Sequence, residues 1–371
     1  MFDRVVEAGD ILPATEAIEM MDQVDLGPTI DIPEIPAGAD PANITGEERR
    51  FLQGEIRRLK AERNALVLAH NYVPADIQDV ADAVGDSLYL AQRGADSDAD
   101  VLAEPSVLFM NQILAAMKKP HQKVLAPHLG ALCSLAAHAD VEKVRAWKEE
   151  HPDGLVISYV NTYIEVKAES DYCCASANAG KVLLHALEHS RPEQPILFLP
   201  DLFLGFYAAR LMERQGQPLG RLWLMMGACH VHERIRPAHV EEQRRLHPGA
   251  LTVVHPECGC TSACMRQVRE GVVPETMLQF RSTQGMVALI KEVPQKEVIV
   301  ATEVGNLHPM HKAVPEKTLI PASREALCAY MKQNTLANLY LSLRDMVHEI
   351  TVDPELARRA RIPIERMLRI L

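Results

Sequence analysis

Three cysteines stand close together in the stretch HPECGCTSAC, residues 255–264, where Cys258, Cys260 and Cys264 lie within seven positions. Thiolates bind zinc and iron–sulfur clusters, so this stretch is the first candidate for a metal site. A structural zinc site takes four ligands at short paired spacings, and the sequence offers no second half-site. The alternatives are a redox-sensitive thiol set or a loop that happens to carry cysteines.

Three of the other cysteines recur at nearly one spacing. Cys133 and Cys229 are 96 residues apart, and Cys229 and Cys328 are 99 apart. Two similar phrases, HPDGLVISYVNT (151–162) and HPGALTVVHPEC (247–258), also begin 96 residues apart. Coincidence would explain one repeated spacing, because segments in which a helix leads into a strand are common. Two features with one period favour a unit of a little under 100 residues that occurs three times.

The elements around these residues alternate between helices and short apolar strands. Thr45 and Glu48 predict a capping box at the start of a helix from Gly46, which leads to the strand ALVLA. Strand character recurs in DADVLAEP, KVLAPHL, LVISY, PILFLPDL, RLWLMMGA, LTVV and EVIVATEV. Such alternation predicts parallel sheets in an α/β fold, in which reactive groups collect at the carboxyl ends of strands.

Polar side chains follow several of these predicted strands directly: His70, Tyr72, Tyr159, Asn161, His255 and Glu257. If three similar units converge at their strand ends, one cysteine from each meets the others at a central site on a pseudo-threefold axis. Three thiolates suit zinc or an iron–sulfur cluster. A cluster with three protein ligands leaves one iron open as a Lewis acid, which favours dehydration chemistry over electron transfer.

Composition narrows the class of protein. The chain has 371 residues, so two or three domains are expected, and its net charge of −11 disfavours a nucleic-acid surface. No apolar run approaches the ~20 residues that span a bilayer, and no secretory signal begins the sequence. We therefore expect a cytoplasmic protein without a membrane segment, in which the eight cysteines stay reduced. Adjacent Cys173 and Cys174 are interpreted as small buried hydrophobes.

Motifs in order from residue 46 to 371 resemble the quinolinate synthase family: AHNYVPADIQDVADAVGDSLYLA, ALCSLA, SYVNTYIEVKAESDYCCASANA, FLPDLFLG, GACHVHE, VVHPEC, RSTQGM, CAYMKQNTL and RARIPIERML. The resemblance implies a [4Fe-4S] enzyme of NAD biosynthesis. It would condense iminoaspartate with dihydroxyacetone phosphate to quinolinate, releasing phosphate and two waters. L-aspartate oxidase, which makes the unstable imine, is the functional partner that this implies.

The family fold implies three Rossmann-like parallel α/β/α domains around a pseudo-threefold axis, with the active site at their junction. We predict an acidic N-terminal extension over 1–45, outside the catalytic core. The first unit covers 46–140 and is completed by C-terminal helices in 341–371. The second unit covers 141–236 and the third 237–340.

Carried over position by position, the resemblance implies that Cys133, Cys229 and Cys328 are the cluster ligands. It implies substrate binding by His70, Ser87, Tyr159, Asn161, Ser176, His232, His255, Glu257 and Thr283. Tyr72 and Glu257 are predicted to transfer protons, because ring formation demands tautomerisation and two dehydrations.

Two features depart from the family pattern. The segment between HPE and RST is longer than usual, so we expect Cys260 and Cys264 on an inserted loop near the pocket mouth. Arg281 stands where the family usually has glycine, which bears on the placement of Thr283.

An alternative function is an iron–sulfur redox sensor or ligand-binding protein, which would need no acid–base residues. A zinc hydrolase is disfavoured because no HExxH-like spacing occurs.

Overall fold

A computed structural model of the chain describes residues 7–23 and 44–370. Its strands are β1 Ile11–Pro13, β2 Ala65–His70, β3 Ala83–Gly85, β4 Val101–Ala103, β5 Lys123–Leu125, β6 Leu155–Tyr159, β7 Tyr172–Cys174, β8 Ile196–Leu199, β9 Leu222–Met225, β10 Leu251–Val254, β11 Leu278–Phe280, β12 Glu297–Ala301 and β13 Thr318–Pro321. Its helices are α1 Ala14–Gln23, α2 Gly46–Glu62, α3 Ala75–Gln78, α4 Ser87–Asp96, α5 Leu108–Met117, α6 Ser134–His138, α7 Val141–Glu150, α8 Ile164–Ala168, α9 Ala179–Glu188, α10 Leu202–Arg214, α11 Pro237–Leu246, α12 Thr261–Arg269, α13 Thr283–Glu292, α14 Leu307–Ala313, α15 Leu336–Asp345 and α16 Pro354–Arg369. Short 3₁₀ turns cover Val304–Asn306 and Met331–Gln333.

Three parallel sheets repeat one topology. Their strand orders are β3-β2-β4-β5, β7-β6-β8-β9 and β11-β10-β12-β13, and every pairing within these three sets is parallel. In each set the second strand along the chain lies at one edge and the first lies beside it. Helices connect the strands, as parallel pairing requires. The predicted α/β class with parallel sheets is confirmed.

The start of the first repeat follows from local chemistry. The Thr45 hydroxyl accepts from the Glu48 backbone N–H at 3.2 Å, and the Glu48 carboxylate accepts from the Thr45 backbone N–H at 2.8 Å. This confirms the predicted capping box. Helix α2 buries Ile56 and Leu59, and its end delivers the chain to β2. The buried end of β2 places His70 at the edge of the sheet where the strands end.

The N-terminal segment is part of the fold where it is described. Strand β1 pairs antiparallel with β9, so the second sheet gains a fifth strand. Helix α1 packs against α10 and β9 and buries Ala17, Ile18 and Met21. The predicted arm outside the core is therefore wrong for residues 7–23, because this segment covers the otherwise open edge of β9. The rest of the predicted extension, apart from residues 44–45, lies outside the described residues.

The C-terminal helices divide between two sheets. Helix α15 packs on α2 of the first repeat. Helix α16 packs on α8 and β7 of the second repeat as well as on α5 of the first. The Asn178 side-chain amide donates to the carbonyls of Met367 and Ile370, at 3.0 and 2.7 Å. Helix α16 thus joins two repeats instead of completing one. No helix within residues 7–23 or 44–370 has the length and apolar character needed to cross a membrane.

Candidate active site

One cavity lies where strands of all three sheets end. It is lined by every residue for which the sequence predicted a role: His70, Tyr72, Ser87, Cys133, Tyr159, Asn161, Ser176, Cys229, His232, His255, Glu257, Thr283 and Cys328. Each of these residues ends a β-strand or follows one in the chain. The topology therefore brings together side chains that are far apart in the sequence.

The three periodic cysteines occupy matching places. Cys133, Cys229 and Cys328 each follow the last strand of their own repeat, β5, β9 and β13. Burial raises the pKa of the Cys133 thiol to about 12 and the pKa values of Cys229 and Cys328 to about 11 each. Such thiols hold their protons at neutral pH unless a cation replaces them. The other cysteines of the described chain do not line this cavity.

Glu257 is the centre of the polar network. Tyr159 donates its hydroxyl hydrogen to Glu257 Oε1, His232 Nδ1 lies 3.3 Å from Oε2, and His255 Nδ1 lies 3.7 Å from Oε1. Burial favours the neutral acid, but His255, His232 and the Tyr159 hydrogen bond together lower the pKa of Glu257 to about 2. The carboxylate therefore stays ionised and is a weak base.

His232 links this carboxylate to Tyr72. Its Nε2 lies 3.1 Å from Tyr72 Oη and 3.0 Å from Thr302 Oγ1, and those two oxygens are 2.9 Å apart. Burial alone would lower the pKa of His232, but its interactions with the neighbouring Cys229 and with the Glu257 carboxylate raise that pKa well above its ordinary value. A protonated His232 can donate towards the Tyr72 hydroxyl, so the pair is suited to deliver a proton.

Two other histidines remain neutral. Burial lowers the pKa of His70 and of His255 to about 3 each. His255 Nε2 lies 3.2 Å from Ser176 Oγ, and its ring stacks on His232 with centroids 4.6 Å apart. His70 Nδ1 accepts from the Tyr72 backbone N–H at 3.2 Å. Neutral imidazoles can orient polar groups without adding charge to the cavity.

Two helix N-termini also face the cavity. Ser87 begins α4 and Thr283 begins α13, and the caps of these helices touch because the Ser282 hydroxyl donates to Asp86 at 3.1 Å. The Asn71 amide donates to the Thr283 hydroxyl at 3.1 Å. Arg281 therefore does not displace Thr283 from the cavity. Helix N-termini favour anions such as carboxylates.

Several residues of this site were not predicted from the sequence. Thr302 directly follows β12, so the strand-end rule that found His255 would also have found it. His230 and Tyr330 line the cavity, and His230 Nδ1 lies 2.7 Å from Ser134 Oγ. Ser134 and His230 follow two of the periodic cysteines directly, so the same 96-residue spacing identifies the pair.

The cysteines of 255–264 lie elsewhere. Cys258, Cys260 and Cys264 are buried, with at most 2% of each exposed. Cys260 caps α12, Cys264 lies within it, and the Cys258 thiol donates to the Ala301 carbonyl at 3.3 Å. The predicted inserted loop at the pocket mouth is wrong, because small buried side chains pack this helix against α1, α10 and α11. Burial raises the pKa of the Cys258 thiol, and hydrogen bonds between neighbouring thiols together with burial raise the pKa values of Cys260 and Cys264, which disfavours reactivity.

One tighter group of donor atoms also exists. Single ligand atoms of Cys229, His232 and Glu257 all lie within 4.8 Å of one another. Both ring nitrogens of His232 already have protein neighbours, Glu257 on one side and Tyr72 with Thr302 on the other. A metal ion in this group would have to displace one of these contacts.

Comparison with known proteins agrees with this geometry. Residues 54–369 match the family model described as Quinolinate synthetase A protein. The chain belongs to this family. It is 44% identical over 319 residues to the quinolinate synthase of Thermus thermophilus, covering 86% of this chain and 97% of the relative. It is 41% identical over 318 residues to the quinolinate synthase of Pyrobaculum aerophilum, covering 85% of this chain and 99% of the relative. It is 40% identical over 342 residues to the quinolinate synthase of Mycobacterium tuberculosis, covering 92% of this chain and 94% of the relative. The resemblance seen in the motifs is confirmed.

Proposed function

We propose that this protein is a quinolinate synthase of NAD biosynthesis. It condenses iminoaspartate with dihydroxyacetone phosphate to quinolinate, releasing phosphate and two waters. The observation that carries the proposal is that one cavity gathers one cysteine from each repeat together with every predicted substrate residue. Family membership adds independent support.

The proposed cofactor is a [4Fe-4S] cluster held by Cys133, Cys229 and Cys328. Three buried thiols from equivalent places in three repeats are a fitting donor set, since iron–sulfur clusters take thiolate ligands. When bound, the cluster supplies one iron without a protein ligand, which acts as a Lewis acid towards carboxylate or hydroxyl oxygen. The shared strand order of the sheets supports three Rossmann-like domains around a pseudo-threefold axis.

The side chains of the cavity divide into two roles. The substrate carboxylates are bound by the helix N-termini at Ser87 and Thr283, with Asn161 and Ser176 as further hydrogen-bond partners. Neutral His70 and His255 orient these groups, and Tyr159 acts through Glu257.

Proton transfer is assigned to Tyr72 and Glu257 acting through His232. Tyr72 passes a proton from His232 to the leaving oxygen, and ionised Glu257 keeps His232 charged for that purpose. This network argues against a redox sensor, which would need the cluster but no proton donors. A zinc site formed by Cys229, His232 and Glu257 is the second candidate, favoured by the close donor atoms.

An anaerobic assay tests the proposal. Iminoaspartate is generated in situ from oxaloacetate and ammonium, dihydroxyacetone phosphate is added, and quinolinate is measured by mass spectrometry. We expect quinolinate only when protein, both substrates and bound iron are all present. Cluster-loaded protein that forms no quinolinate would contradict the proposal. Replacing the oxaloacetate mixture with L-aspartate oxidase, aspartate and an added electron acceptor other than oxygen tests whether that enzyme can supply the imine.

A further inference from the structure

A buried carboxylate lies beside the site without lining it. Glu303 follows β12 and Thr302, and its side chain has 0% exposure. Its Oε1 accepts from the Cys328 backbone N–H at 3.1 Å, and its Oε2 accepts from the Gly305 backbone N–H at 2.6 Å. The Lys332 ammonium lies 2.8 Å from Oε1. Glu303 thus holds the backbone of a proposed cluster ligand.

The partner of this carboxylate also contacts a residue of the first repeat. Lys332 also donates to the backbone carbonyl of Tyr72, and its own backbone N–H donates to the Cys328 carbonyl at 3.0 Å. Its side chain is 14% exposed. Lys332 therefore connects the turn that carries Cys328, in the third repeat, to the strand end that carries Tyr72, in the first.

We infer that Glu303 and Lys332 form an ion pair that positions Cys328 and Tyr72 relative to each other and balances charge beside the cluster. This rests on the proposed function for the presence of the cluster. Both residues are positioning residues, since neither lines the cavity. They act on proton transfer through Tyr72 and on the cluster through Cys328.

Three observations favour this role over general stabilisation. Burying two charges is costly, and an apolar pair of similar volume is often as stable, so stability alone does not explain the pair. Its contacts reach the backbones of two site residues, Cys328 and Tyr72. Thr302, next to Glu303, lies 2.9 Å from the Tyr72 hydroxyl. Tyr72 is therefore held at its hydroxyl by Thr302 and at its backbone carbonyl by Lys332, the partner of Glu303.

The two charges also act on Cys328 with opposite signs. The Glu303 carboxylate accepts from the Cys328 backbone N–H at 3.1 Å, and the Lys332 ammonium lies 2.8 Å from the same carboxylate oxygen, so one negative and one positive charge stand beside this cysteine. Removing one charge leaves the other uncompensated near the sulfur. An added positive charge near an iron–sulfur cluster favours its reduced form, and an added negative charge disfavours it.

The test uses the cluster-loaded enzyme and three variants. Glu303→Gln should raise the midpoint potential of the cluster, Lys332→Met should lower it, and the double variant should return towards the wild-type value. In Lys332→Met, kcat should also fall about tenfold with a smaller change in KM, because Tyr72 loses its anchor. The control pair is Asp79→Asn and Lys312→Met, an exposed ion pair at 2.6 Å, which should leave potential and kcat unchanged.

Potentials that do not move, or that move in the same direction in both single variants, would overturn the inference. If Glu303→Gln does not fold, Lys332→Met decides alone: its potential must lie below that of the wild type. Wild-type protein that binds no cluster would instead overturn the proposed function. The inference is then decided in the metal-free protein by hydrogen exchange of the Cys328 and Gly305 amides. At least one of them should exchange about tenfold faster in Glu303→Gln, and equal rates would refute the inference.

Discussion

Two sets of three cysteines differ in their spacing along the sequence and in their place in the fold. The clustered set, Cys258, Cys260 and Cys264, lies within seven positions of sequence and is buried around the start of α12. The dispersed set, Cys133, Cys229 and Cys328, spans almost 200 residues yet lines one cavity. Burial contributes to a raised thiol pKa in both sets, so thiol acidity does not separate them.

What separates the two sets is where the fold places them. Each dispersed cysteine follows the fourth strand of a parallel sheet, at the edge where loops from neighbouring strands meet. The clustered cysteines begin a helix whose small residues pack into the core, and Cys258 finds its partner in a backbone carbonyl. Close spacing in sequence is therefore a poorer guide to a site here than equivalent position in a repeat.

The largest effect is expected from the dispersed set. Cys133→Ala, Cys229→Ala or Cys328→Ala, each made singly, should lose the stable cluster and all measurable quinolinate formation, because each removes one of the three proposed ligands. Iron, sulfide and turnover are measured after anaerobic purification. Cys174→Ala, at a buried thiol that does not line the cavity, is the control and should keep its iron. A dispersed-set variant with full iron and turnover would show that the ligand assignment is wrong.

A smaller effect is expected from the polar network around Glu257, which lies in the cavity that the dispersed cysteines line and the clustered cysteines do not. Glu257→Gln should keep the cluster but reduce kcat by about 10²-fold, because the neutral amide no longer holds the charge of His232. The measurement is kcat and iron content in the same preparation. Unchanged turnover would make Glu257 a structural residue, and lost iron would place it among the groups that hold the metal.

The pH profile sharpens the same point. Glu257 helps to raise the pKa of His232, so the protonated imidazole persists below that pKa and is lost as pH rises through it. Activity should therefore fall on the alkaline side. The fall should begin at lower pH in the residual activity of Glu257→Gln, because the pKa of His232 drops without the carboxylate. Identical alkaline limbs in the two proteins would exclude His232 as the proton donor.

The smallest effect is expected from the clustered set. Cys260→Ser/Cys264→Ser should keep iron, sulfide and most activity, because these side chains do not line the cavity. Their burial predicts a cost of about 1–3 kcal/mol in the free energy of unfolding, since hydroxyls demand hydrogen bonds more strongly than thiols. Denaturant titration measures that cost. Loss of the cluster without general unfolding would show that the clustered cysteines, and not only the dispersed ones, are needed to hold the cluster.

The sequence predicts much of this arrangement, for reasons that specific residues make clear. Thr45 with Glu48 and the apolar strand segments are local signals, and they predicted α2 and eight of the thirteen strands that the structure describes. The strands that were not predicted are β1, β3, β7, β11 and β13. The strand-end rule and the spacing of the cysteines indicated only part of the cavity. Four further residues were implied by the family resemblance alone: Ser87, Ser176, His232 and Thr283. Segment 7–23 was misjudged because a three-residue strand has too short a pattern to detect, and its burial depends on the open edge of β9.

The remaining errors come from contacts between distant residues. The burial of Cys260 and Cys264 depends on helices α1, α10 and α11, which no local pattern places beside α12. Glu303 and Lys332 resemble ordinary surface charges in sequence, and only the fold brings them to Cys328 and Tyr72. The charge state of Glu257 likewise depends on His232, His255 and Tyr159, which come from separate strand ends.

The most direct test of the comparison is the metal content of the anaerobically purified wild-type protein beside the Cys133→Ala and Cys260→Ser/Cys264→Ser variants. The account predicts about four iron and four sulfide per chain in the wild type and in the double variant, as a [4Fe-4S] cluster requires, and neither in Cys133→Ala. Stoichiometric zinc in the wild type, or iron that survives in Cys133→Ala and disappears in the double variant, would contradict it.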